Sequence, residues 1–258
     1  MTYDEAKKEF VKTVTNMSGK YSTSQVFKDF VTVAALSLQN ASGCFIQKGA
    51  DFEERENTIK TTLALYTKEE QVKLARLLYL VTVALEDKFG DFLGECFGLL
   101  EVNNKNVGQF FTPYCVSKLC ARCVFDKAEA ERTIKEKGYI GLNEPACGSG
   151  GMIMAYMDVL KDNGINYQKD CLVIANDIDQ RCSYMTFIQL SLIGVPAIVT
   201  VGDTLTLKTY ETLTTLFYFM HAFKFANWKT RKQSAEIQLQ TKPLEPQVQN
   251  EPTQMSLF

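Results

Sequence analysis

Three short segments place acidic side chains and glycines where a ligand can be held. The first, Asn143-Glu144-Pro145-Ala146-Cys147-Gly148-Ser149-Gly150-Gly151, ends a short apolar stretch and opens a helical one. Glycines there let the backbone pass close to a bound molecule at the carboxyl end of a strand, where open α/β sheets bind ligands. The second, Ala175-Asn176-Asp177-Ile178-Asp179, offers a carboxylate able to accept both hydroxyls of a ribose, beside an apolar side chain suited to an adenine face. The third, Gly202-Asp203-Thr204-Leu205, adds an acceptor suited to an adenine amino group. Asp179, and Asp177 as well, also have the ordinary role of capping the following helix.

Two kinds of nucleotide fit this pattern. Dinucleotide binding is one, because Asp177 follows the glycine loop at about the separation that such folds use for a ribose-binding acid. S-adenosylmethionine is the other, and two details favour it. Glu144 at the strand end can meet a ligand ammonium, directly or through water, but would repel a pyrophosphate. The loop also carries Ile153 where the full dinucleotide pattern G-x-G-x-x-G needs its last glycine.

The elements that must position these residues alternate. Strands are expected at Tyr139 to Glu144, Cys171 to Asn176 and Ala197 to Val201. Helices are expected from about Gly151 to Lys161 and from Asp179 to about Leu192. This succession predicts an α/β fold with a doubly wound parallel sheet. Thr112-Pro113 predicts a helix start, with Thr112 as N-cap and Pro113 as first helical residue.

The preceding part reads as helices. Phe27, Phe30, Val31, Ala34 and Leu38 form one apolar stripe, and Leu74, Leu77, Leu78, Val81 and Leu85 another, with a third amphipathic stretch from Phe92 to Val102. Breakers lie at Ser42-Gly43 and Gly49-Ala50-Asp51. The expected organisation is a helical domain over 1–105, a cofactor domain over 106–230 and a polar, disordered tail over 231–258.

Composition bounds the function classes. Hydrophobic residues make up 46% and charged residues 22%, the balance of a globular protein. The net charge of −2 gives no global attraction to phosphate, so nucleic-acid contact would have to come from local patches. The acidic N-terminus is no secretory signal, and no apolar run reaches the ~18 residues of a membrane span, so a cytoplasmic protein is expected. Among the eight cysteines, Cys115, Cys120 and Cys123 have a spacing like part of an iron–sulfur ligand set, but a fourth ligand is lacking. They are expected to be packing residues on a helix, and no metal is expected.

Taken in order, Gly108-Gln109-Phe110-Phe111-Thr112-Pro113, Glu144 to Gly151, Asn176-Asp177-Ile178-Asp179 and Gly202-Asp203-Thr204 resemble the motifs of the modification subunit of type I restriction–modification systems, an N-6 adenine-specific DNA methylase family. The run Asp91-Phe92-Leu93-Gly94-Glu95 resembles that family's passage from its helical domain into the cofactor domain. The resemblance implies a methyltransferase fold, here in truncated form, and S-adenosylmethionine as cofactor. It puts Phe110, Thr112 and Pro113 near the methionine end, with Glu144 on its amino group, Asp177 on the ribose and Asp203 on the adenine amine. Cys147, Gly148, Ser149, Gly150 and Ile178 complete the expected pocket. DNA is the implied substrate, with target reading left to a separate specificity subunit.

Adenine methylation in that family uses an Asn-Pro-Pro-aromatic run to hold the amine and stack on the flipped base. None of the six prolines here is adjacent to another, so the run is absent and no catalytic residue is assigned. Leu216 to Met220 is a candidate fourth strand leading to Asn227-Trp228, and the run from Leu216 to Trp228, or a partner subunit, is expected to cover the open edge of the sheet. Lys224, Lys229, Arg231 and Lys232, interleaved with Phe225 and Trp228, are candidates for nucleic-acid contact. Separately, Gln254-Met255-Ser256-Leu257-Phe258 resembles the pentapeptide that binds the bacterial replication clamp, with Gln254, Leu257 and Phe258 as the anchors. A non-catalytic accessory protein tethered to that clamp is therefore the alternative to an enzyme.

Overall fold

The computed structural model describes residues 1–42, 50–101, 111–222 and 224–225. Met1–Ala222 forms one compact unit. Phe110, Asn227-Trp228, the basic residues Lys229, Arg231 and Lys232, and the anchors Gln254, Leu257 and Phe258 lie outside the described residues.

Among the described residues, five helices open the chain: α1 (Tyr3–Met17), α2 (Thr23–Ala41), α3 (Ala50–Leu63), α4 (Lys68–Asp87) and α5 (Phe92–Glu101). Two start with reciprocal capping, Thr2 with Glu5 and Thr67 with Glu70, which satisfies first-turn N–H groups that have no partner within the helix. The predicted stripes are the ones that turn inward. Phe27, Phe30, Val31 and Ala34 of α2, and Leu74, Leu77, Val81 and Leu85 of α4, are buried. Phe10 joins them through edge-on contacts with Phe30 (5.3 Å between centroids) and Phe92 (5.6 Å).

Next come α6 (Tyr114–Val124) and α7 (Lys127–Lys137), then β1 (Ile140–Glu144), α8 (Gly151–Asp162), the single turn α9 (Tyr167–Asp170), β2 (Cys171–Asp177), α10 (Gln180–Leu192), β3 (Ala197–Asp203), β4 (Lys208–Thr214) and α11 (Leu216–Met220). The expected α/β succession after a helical region is what the structure shows. β1, β2 and β3 are parallel, β4 is antiparallel to β3, and the strands lie side by side in chain order. No reversal of strand order occurs among these four. Glu144, Asp177 and Asp203 are the last residues of β1, β2 and β3, so the three acids mark one edge of the parallel strands.

α10 decides how the two regions meet. Every residue from Cys182 to Leu190 is buried, because the helix packs on β2 and β3 on one side and on α2, α4 and α5 on the other. A helix covered all round loses the polar face that surface helices show. One hydrophobic cluster therefore runs from Tyr3 in α1 to Leu213 in β4. Among the described residues no helix is long and apolar enough to cross a membrane.

Four local expectations are corrected. Leu216 to Met220 is a short helix, not a strand. The fourth strand is Lys208–Thr214, which pairs with the edge of β3. The physical reason is the turn before it: the Asp203 carboxylate accepts the amides of Leu205 (2.9 Å) and Thr206 (3.3 Å), and Leu207 takes a left-handed conformation (φ 59°). The chain thus folds straight back, and Thr215 then locks the return by donating to the Val195 carbonyl (2.7 Å) and accepting from the Ala197 amide (2.9 Å). The start of α6 is also shifted by one residue. Pro113, with ψ 136°, is the N-cap and Tyr114 the first helical residue, and no side chain caps the helix. Finally, Cys115, Cys120 and Cys123 do lie on a helix, but they are exposed, while α6 buries Ser117 and Ala121 instead.

Candidate cofactor site

β1 hands over to α8 through a glycine loop. Gly148 (φ 54°) and Gly150 (φ 95°) are left-handed, a conformation open to glycine without strain. A Cβ on Gly148 would press on the Phe111 ring at 3.2 Å, and one on Gly150 would meet the Thr186 hydroxyl at 3.0 Å. The Cys147 amide donates to the Asn176 carbonyl (2.8 Å) and the Gly148 amide to the Asp177 carboxylate (2.8 Å), tying the loop to the end of β2. Asn176 extends the tie to β3: its amide donates to the Gly202 carbonyl (2.8 Å) and to Thr204 (2.7 Å), whose hydroxyl donates to the Pro145 carbonyl (2.6 Å).

From below, the loop is held by a polar stripe on the buried face of α10. Ser183, Thr186 and Gln189 follow at three-residue intervals, hence on one side of the helix. Ser183 donates to the Thr200 carbonyl (3.1 Å), and Thr186 to the Gly148 carbonyl (2.9 Å). Gln189 donates to the Ser149 carbonyl (2.7 Å) and to Asp91 (3.0 Å), while its carbonyl oxygen accepts the Leu93 amide (3.2 Å). Asp91 closes the ring: it also accepts the Ser149 hydroxyl and, as the cap of α5, the Gly94 amide (3.1 Å). Burial raises the Asp91 carboxyl above its ordinary range, and the three donors oppose that shift.

These elements enclose a cavity of about 250 Å³, bordered by Asp91, Phe111, Thr112, Ser117, Ala146, Cys147, Gly148, Ser149, Gly151, Met152, Asp177 and Cys182. Of the residues singled out by sequence, Thr112, Cys147, Gly148, Ser149 and Asp177 are therefore brought together. Gly150 is the N-cap of α8 within the same loop. Pro113 caps α6 without bordering the cavity. Glu144 accepts the Ala146 amide (3.3 Å) and borders a smaller neighbouring cavity of about 120 Å³, which shares Met152 with the first. Ile178 is 66% exposed and does not border the cavity. Asp203 is engaged in its own turn, whose hydrogen bonds to Thr206 and Leu205 lower its carboxyl below the ordinary range.

Sequence reasoning missed Ser117, Met152 and Cys182 as wall residues, and Asp91 as more than part of a motif. Asp91 carried a signal, since an aspartate three residues before a glycine at a helix start reads as an N-cap. Ser117 carried none, being one small residue among several on its helix.

The chemistry of the walls narrows the ligand. Among the described residues bordering the cavity, the charged ones, Asp91 and Asp177, are both acids. The Asp177 carboxylate is oriented by two amides, Gly148 on one oxygen and Asp179 (2.9 Å) on the other, and each oxygen keeps a lone pair for a hydroxyl donor. The nearest cation on α6, Lys118, is committed to Asp158 (2.6 Å) and Asp162 (3.3 Å) of α8. Cys147 is no nucleophile, because burial pushes its thiol up to about 12. A polyol bearing positive charge suits such a cavity, and a polyphosphate does not.

The buried ring around Asp91 gives a prediction with a sign opposite to helix propensity. Gly→Ala within a helix ordinarily gains about 1 kcal/mol. A Cβ on Gly94 would instead collide with the Asp91 carboxylate and the Ser149 hydroxyl. Gly94→Ala is expected to lose about 2 kcal/mol in urea unfolding through this overpacking.

No curated protein sequence matches this chain. A solved structure from Listeria monocytogenes, described as a class I S-adenosylmethionine-dependent methyltransferase, aligns with 14% identity and a TM-score of 0.38, covering 75% of this chain. This chain spans 52% of that protein's length. The N-6 DNA methylase family matches residues 85–255, a stretch that takes in α5, the glycine loop and β1 to β4. This chain belongs to the N-6 DNA methylase family.

Proposed function

We propose that this chain holds S-adenosylmethionine for methylation of adenine N6 in DNA, as a cytoplasmic protein resembling a type I modification subunit and acting with a partner subunit. Membership of the family implies S-adenosylmethionine as the cofactor. The observation that carries the reading is the acidic cavity at the carboxyl ends of the strands, with Asp177 oriented on its wall. When bound, the cofactor supplies a methyl group activated by a sulfonium.

The roles of the chain's own residues follow from their chemistry. Asp177 accepts the ribose hydroxyls with the lone pairs that its two amides leave over. Asp203 serves the adenine amine and Ile178 covers one adenine face. We assign Glu144 to the amino group of the methionine part and Thr112 and Pro113 to that end, as the family resemblance implies. The glycine loop brings the backbone close without a Cβ in the way. No Asn-Pro-Pro-aromatic run occurs in these 258 residues, so the base-holding groups are assigned to the partner.

Titration calorimetry tests the cofactor half. S-adenosylmethionine and S-adenosylhomocysteine are expected to bind and NAD is not, and Asp177→Ala should weaken both ligands at least tenfold, as loss of hydrogen bonds to a charged group does (about 1.5–3 kcal/mol). Heat with NAD and none with S-adenosylmethionine would overturn the reading. Incorporation of labelled methyl groups into unmethylated DNA, in the presence of the partner, tests the transfer itself.

A second reading concerns the tail. Gln254-Met255-Ser256-Leu257-Phe258 ends in two apolar side chains behind a hydrogen-bonding glutamine, which suits insertion into an apolar pocket of the replication clamp. The full chain is expected to bind the clamp and the double variant Leu257→Ala/Phe258→Ala is not. Equal binding by both proteins would remove the tail from the account.

A further inference from the structure

We infer that Ser117 is a cofactor-positioning residue whose hydroxyl donates to the carboxylate of the methionine part of the ligand. The inference rests on the cofactor reading above and names a contact within that site.

The observation is an orphaned hydroxyl. Ser117 is fully buried, and its side-chain oxygen has no hydrogen-bond partner, although it borders the cavity. A serine inside a helix ordinarily satisfies itself by donating to the carbonyl four residues earlier. Here that carbonyl, of Pro113, already accepts the amides of Val116 (2.9 Å) and Ser117 (3.1 Å). A buried polar group left unmade is costly and rare, so its persistence at a cavity wall points to a partner that arrives with the ligand.

The surroundings select an acceptor, and an anionic one. Ser117 stands in the first turns of α6, whose N-cap is Pro113 and whose first-turn amides therefore have no side-chain cap. The amino end of a helix carries partial positive charge and favours a carboxylate. The helix itself is fixed in place, since Tyr114 and Lys118 both bond to Asp158 of α8, at 3.1 and 2.6 Å. A zwitterionic amino-acid moiety thus finds acids for its ammonium and, at α6, donors for its carboxylate.

The test compares two ligands on the full chain by calorimetry. S-adenosylhomocysteine carries the carboxylate, and 5′-methylthioadenosine lacks the whole amino-acid part. Ser117→Ala is expected to bind S-adenosylhomocysteine about tenfold more weakly, with methylthioadenosine binding unchanged. Thermal melting of the unliganded variant should match or exceed the unsubstituted protein, because an unpartnered hydroxyl is removed. Unchanged S-adenosylhomocysteine binding, equal loss for both ligands, or a lowered melting temperature would overturn the assignment while leaving the cofactor reading in place. Failure of the unsubstituted protein to bind S-adenosylhomocysteine would overturn both.

Discussion

A single buried carboxylate organises this protein. Asp91 lies where the helical region ends, yet its oxygens are shared between the cap of its own helix, the Ser149 hydroxyl of the glycine loop and the Gln189 amide of α10. A carboxyl so buried is tolerated only when its oxygens are hydrogen-bonded, and removing one donor leaves an oxygen unsatisfied away from solvent. Three segments far apart in sequence must therefore be in register at once. The loop that borders the cavity is shaped from beneath by side chains of other elements, and its own sequence supplies only the freedom to comply.

The N-terminal helices acquire a role from this. Stripes such as Phe27 to Ala34 and Leu74 to Leu85 say only that helices pack on one another. Their packing continues through α10 into the sheet, so the hydrophobic cluster that stabilises the bundle also fixes the height of Ser183, Thr186 and Gln189 beneath the strand ends. Polar residues in a covered helix are high in cost unless satisfied, and each of these three is satisfied by a backbone carbonyl or carboxylate of the loop or strands.

Much of this was legible in the sequence. The positions of β1, β2, β3, α8 and α10 follow from alternation, and the acids Glu144, Asp177 and Asp203 do close their strands. What escaped was of two kinds. Local hydrophobicity misled at Leu216 to Met220, where a dense aromatic run outweighed the milder alternation of Lys208 to Thr214, a half-exposed edge strand set by the Asp203 turn. Long-range contacts left no local trace: nothing about Ser117 or Gln189 in the sequence tells that one borders a cavity and the other spans from α10 to Asp91. Alternation placed α10 as a helix, but which partners it meets is decided by tertiary packing.

The charge of the cavity ties the fold to its chemistry. The carboxylates of Asp91 and Asp177 border one space, and the Lys118 ammonium is drawn off to Asp158. That arrangement rewards a ligand with positive charge and hydroxyl donors and disfavours one bearing phosphates. Hydrogen–deuterium exchange with and without S-adenosylhomocysteine addresses this claim most directly. The account predicts slowed exchange in Ala146 to Met152, Asp177 to Asp179 and the first turn of α6, with α4 unchanged. Protection confined to other elements, or none at saturating ligand, would contradict it.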